Sequence, residues 1–144
     1  MKRQIVVEVI IFLYLSLFLY AAGTKLLDYE RSVAQIAQSP LLTNYASWIA
    51  WLVPVLEIAI SILLIVSRTR RSGLYAAFGL MVLFTFYIIA ILSFSEELPC
   101  ACGGVLSMLH WKGHLVLNIV FVVLAIIAIV LMNKEGENNK SLTA

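Results

Sequence analysis

The two cysteines of this chain stand two residues apart, as Cys100-Ala101-Cys102. Cα atoms at that separation lie near the upper end of the range a disulfide can span, so closure is feasible but strained. Such a bridge is more oxidising than a structural one, and it closes too small a loop to stabilise a fold much. The pair therefore points first to thiol–disulfide exchange, with metal ligation or inert thiols as the other readings. Pro99 on one side and Gly103-Gly104 on the other predict a turn into which a partner backbone or sulfur can come close. A short helical turn at Leu106–Leu109 and the nearby histidines would favour the thiolate, whereas Glu96 and Glu97 would oppose it.

His110, His114 and Asn118 follow at intervals of four. On a helix they form one polar stripe, which must face the bundle interior or a partner rather than lipid. The stripe can act as a proton path or hydrogen-bonding site beneath the cysteines, or as plain interhelical glue. Cys100, Cys102, His110 and His114 together are also an acceptable ligand set for zinc or copper, though not at a standard finger spacing. Glu57 lies within an apolar run, three residues after Pro54. A carboxylate there must be neutral or paired, and Pro54 frees the carbonyl of Ala50 and can kink the helix. Lys25 can reach inward to pair with Glu57. The resulting polar pocket would suit a quinone head group or proton transfer, or would be a structural ion pair. Glu8 is expected to snorkel or to pair with Arg3.

These residues must be positioned by membrane helices. Hydrophobic residues make up 62% of the 144 and charged residues 12%, far from the roughly 25% charged of a soluble domain. Four apolar runs, 5–22, 48–66, 73–94 and 114–132, are each long enough to cross a bilayer at about 1.5 Å per residue. The fold class is thus all-α: a polytopic four-transmembrane-helix bundle over residues 1–132, followed by a polar tail, 133–144, read as disordered. Lys2, Arg3, Arg68, Arg70, Arg71, Lys134 and Lys140 fall on one side of the spans; Lys25, Arg31 and Lys112 fall on the other. By the positive-inside rule both termini are cytoplasmic and the cysteine loop is outside, where disulfides persist. Trp48, Trp51 and Trp111 mark the outer helix ends. The first run resembles a signal peptide in its basic start, but its length and Glu8 favour a retained span. In the first outer loop Tyr29, Val33, Ile36 and Ala37 recur at helical spacing, which predicts a short amphipathic helix closed by Ser39-Pro40. The formal charge of +2 and the placement of the basic residues give nucleic-acid binding no support.

The Gly23-x-Lys25 ending of the first span, the Pro54-x-x-Glu57 step, and the order CACGG, Trp111, His114, Asn118 resemble the MauE/DoxX-type redox-associated membrane proteins of bacteria, from about Val9 to Leu131. The resemblance implies a four-helix bundle linked to disulfide formation or quinone-linked sulfur chemistry. It carries Cys100 and Cys102 onto the group's cysteine motif, and His114 and Asn118 onto its polar positions in the fourth span. Many relatives have an aromatic in the sequence Cys-Phe-Gly where this chain has Cys102-Gly103-Gly104. The chain also has no second cysteine pair, so a complete relay needs a partner. The expectation is an inner-membrane thiol–disulfide exchange protein with catalytic Cys100 and Cys102, supported by His110, His114, Asn118, Glu57 and Lys25. Its partner would be a periplasmic thioredoxin-like protein or a cysteine-bearing substrate, and quinone its only candidate cofactor. The alternatives are a non-catalytic assembly subunit of a larger membrane complex, and a metal-handling protein.

Overall fold

The computed structural model describes residues 1–38, 42–94 and 111–143. Cys100, Cys102 and His110, with Pro99 and the glycines beside them, lie outside the described residues, as does Ser39-Pro40. Among the described residues there are five α-helices and no strand: α1 (Lys2–Leu27), α2 (Tyr29–Ala37), α3 (Ala46–Ile65), α4 (Arg70–Phe94) and α5 (Trp111–Thr143), with a single 3-10 turn at Thr43–Tyr45. The four long helices are apolar enough to cross a membrane, so the chain is a multi-pass membrane protein.

Each long helix buries one seam. On α1 it runs Val7, Ile10, Ile11, Tyr14, Phe18, Ala21 and Ala22; on α5 it runs His114, Asn118, Phe121, Ala125 and Ala128. Alternating steps of three and four keep such a seam on neighbouring helices along their whole length. The opposite faces carry exposed Phe12, Ile62, Leu83 and Val116, as lipid-facing surfaces do. Neighbours meet in the ring α1–α3–α4–α5 and back to α1. Gly73 lets α4 approach α3 closely: a Cβ there would sit 3.0 Å from the backbone of Leu63 and Leu64.

The polypeptide reverses at the two ends by different means. At one end α2 docks on α3, with Ile36 against Ala46 and Ala50 and with Val33, Ala37 and Ile49 around them. The Tyr29 hydroxyl donates to the carbonyl of Ser47 at 3.1 Å, and Thr43 donates to that of Ala37 at 3.0 Å. Exposed Trp48 and Trp51 follow at the start of α3, where an interfacial belt belongs. At the terminal end, Arg70 pairs with Glu8 and donates from Nε to the carbonyl of Leu64 at 3.2 Å. Glu8 therefore takes Arg70 rather than Arg3. The antiparallel packing of α1 and α3 brings the 66–70 turn beside the first turns of α1, whereas Arg3, five residues before Glu8, lies off its helical face.

The segment from Asn133, read from sequence as a polar tail, is helical through Thr143. Good helix formers such as Lys134, Glu135 and Glu137 continue α5 without a breaker. Arg71 holds its base, donating to the carbonyl of Met132 at 3.4 Å.

Candidate functional site

A part-buried lysine and a buried glutamate meet where α1, α3 and α4 come together. Lys25 Nζ donates to Glu57 Oε1 at 2.6 Å. The Glu57 side chain is 1% exposed and that of Lys25 12%. The geometry follows from helix direction. Side chains tilt toward the N-terminus of their own helix. On α1 this aims Lys25 from the last turn back into the bundle; on antiparallel α3 it aims Glu57 toward the α2 end. The two converge without leaving ordinary rotamer directions. Lys25 also complements the partial negative charge at the C-terminus of α1. α4 supplies the Phe84 ring, whose centroid is 5.6 Å from Nζ, close enough for a cation–π contact.

The pair is incompletely satisfied. Glu57 Oε2 is buried with no hydrogen-bond partner among the described residues. A buried carboxylate oxygen left this way accepts readily from an ordered water, a transferred proton or a ligand donor. One turn on, the Ser61 hydroxyl donates to the carbonyl of Glu57 at 2.8 Å, so it turns back on its own helix and does not reach the carboxylate.

α5 brings His114 and Asn118 inward, 2% and 8% exposed. The sequence spacing required an interior or partner-facing stripe, and these two members occupy the interior. Three of the four candidate metal ligands, Cys100, Cys102 and His110, lie outside the described residues; no metal-binding cluster occurs among the described ones.

Sequence reasoning missed Tyr14. It is fully buried, and its hydroxyl donates to the carbonyl of Phe121 across the α1–α5 seam. Its ring meets Phe18 and Phe121 edge-on, with centroids 5.5 and 5.0 Å away. Its heptad-like place between Ile10 and Phe18 was the available signal. The contact also fixes depth. His114 lies about 10 Å from Phe121 along α5, and Lys25 about 16 Å from Tyr14 along α1, at 1.5 Å per residue. Both displacements run toward the α2 end. Glu57, Lys25, His114 and Asn118 therefore occupy one half of the bundle. The other half is packed with Val7, Ile11, Leu64, Leu74, Ala77 and Ala128. The segment 95–110 is tethered to the last residue of α4 and the first of α5, both at the polar half's end.

Residues 3–131 match the family model described as methylamine utilisation protein MauE. No curated protein and no solved structure gives a significant match.

Proposed function

The chain belongs to the MauE family of methylamine utilisation proteins, and from that premise we propose that it is a membrane thiol–disulfide exchange protein acting through Cys100 and Cys102. The observation that carries the reading is the concentration of buried polar groups in the half of the bundle at which the cysteine-bearing segment is tethered. In the exchange, one thiolate attacks a sulfur of a partner's disulfide. The new S–S bond is the mixed disulfide, and the partner's other sulfur leaves as a thiolate. The second cysteine, after losing its proton, then attacks the mixed disulfide. The partner departs as a dithiol, reduced by two electrons, and Cys100 and Cys102 are left oxidised as a pair. Run backwards, the same steps oxidise the partner.

In this reading the membrane is the bacterial cytoplasmic one and both termini are inside, as the basic residues of the terminal end require. The partner is a periplasmic thioredoxin-like protein or a cysteine-bearing substrate of methylamine metabolism. Glu57 and Lys25, with His114 and Asn118, supply proton acceptors and donors in the half at whose end α4 stops and α5 begins. The hydroxyl of a reduced quinol could donate to Glu57 Oε2, and the Lys25 ammonium could donate to a carbonyl oxygen of the oxidised quinone.

The test is trapping. Cys100→Ala and Cys102→Ser, expressed separately, are each analysed on non-reducing gels for mixed disulfides. One of them is expected to accumulate a covalent adduct that dithiothreitol releases. If neither traps a partner and the double variant still supports growth on methylamine, the thiol reading is wrong.

A further inference from the structure

Of the neighbouring pairs in the helix ring, α1 and α5 are the least extensively joined. The Tyr14–Phe121 contact pins them at mid-height. Below it, toward the terminal end, they part around a lateral cleft of about 960 Å³. Its wall is apolar: Ile5, Val9 and Phe12 lie at helical spacing on α1 and are 61%, 52% and 68% exposed. Its rim is charged, with Arg70, Glu8 and Glu135. Glu8 is engaged by Arg70, whereas Glu135 has no ion pair among the described residues. With Met1 also lining the cleft, the rim holds two cations, the Arg70 guanidinium and the Met1 ammonium, and two carboxylates. A groove apolar along the membrane and charged only at its mouth matches an amphipathic occupant.

We propose that this cleft binds a phospholipid with a primary ammonium head group, of the phosphatidylethanolamine class. One acyl chain lies along Ile5, Val9 and Phe12. The phosphate sits beside Arg70, and the ammonium donates to Glu135. A rim balanced between cations and carboxylates matches a zwitterionic head group better than a purely anionic one, and a quaternary choline head cannot donate a hydrogen bond to Glu135. The site is independent of the thiol chemistry.

The experiment uses the full chain in mild detergent. Retained lipid is counted by native mass spectrometry, and thermal unfolding is followed with added phosphatidylethanolamine, phosphatidylglycerol, phosphatidylcholine or soluble glycerophosphoethanolamine. Phosphatidylethanolamine is expected to be retained over phosphatidylglycerol by about fivefold, the effect of one interfacial charge, and to raise the melting temperature. The chain-less head group is expected to do neither. Glu135→Lys is expected to reverse the preference toward phosphatidylglycerol. Val9→Trp, which fills the groove, is expected to abolish retention while the lipid-free melting temperature holds. Equal retention of all lipids, or a preference unchanged in Glu135→Lys, overturns the proposal. So does a dimer cross-linked through Phe12→Cys in a Cys100→Ser/Cys102→Ser background, which would put a second copy in the groove.

Discussion

Lys25 and Glu57 form the interaction on which single substitutions should act most strongly. Truncating one member of a buried pair strands the other, which costs about 3–5 kcal/mol. Lys25→Met and Glu57→Leu are each expected to lower the melting temperature in detergent sharply, and the double variant to regain most of the loss. A thermal double-mutant cycle measures this. If the pair also serves proton transfer, the double variant melts normally yet fails in the trapping assay. Tyr14→Phe keeps both ring contacts and loses only the hydrogen bond to Phe121, so it should cost about 1 kcal/mol. Tyr14→Ala should cost about 3–5 kcal/mol, as other large-to-small core changes do. The ion pair was legible in the sequence, because an acid inside an apolar run demands a partner and Lys25 was the cation at the right end. Tyr14 was not, since a tyrosine in such a run fits an interface as well as a core. The partner of Glu8 was misread for a different reason: Arg3 is near in sequence, but only the packing of α1 beside the end of α3 reveals that Arg70 is nearer in space.

Among the helices, the α3–α4 contact depends on a missing side chain. Gly73→Ala places a methyl group 3.0 Å from backbone atoms of α3, and backbone cannot rotate away. The expected cost is about 1–3 kcal/mol, typical of overpacking, despite the gain in helix propensity. Denaturant or thermal unfolding of the variant checks it, with Gly79→Ala, which meets nothing within 4 Å, as the control. The four spans and the apolar face of α2 were readable because periodicity and length are properties of a single segment. The role of Gly73 was not, because it depends on which helix lies opposite. Nor was the continuation of α5: a polar sequence of good helix formers looks the same whether it frays or is held, and what holds it is Arg71 of another helix.

At the scale of the whole molecule, the basic residues predict which way the bundle faces. In spheroplasts, a membrane-impermeant maleimide is expected to label Cys100 or Cys102 after reduction, while a cysteine placed at Asn139 is labelled only after lysis. The opposite pattern would invert the orientation. The sequence carried the four spans, and its basic residues supply the orientation that this labelling tests. It could not carry the unequal filling of the two halves, which emerges only when α1 and α5 are set in register by Tyr14 and Phe121.

That unequal filling has an electrical consequence. From the Tyr14 level to the Glu8–Arg70 pair, the buried described side chains are apolar apart from Ser61, whose hydroxyl is returned to its own helix. Moving one charge against a membrane potential of 100 mV takes about 2.3 kcal/mol, and this half of the bundle gives a proton no stepping stones. In the proposed exchange, protons taken up or released near Glu57 and His114 would return to the side they came from. The exchange should therefore be electroneutral. An uncoupler that collapses the membrane potential should leave the redox state of Cys100 and Cys102 unchanged as long as their partner is supplied directly.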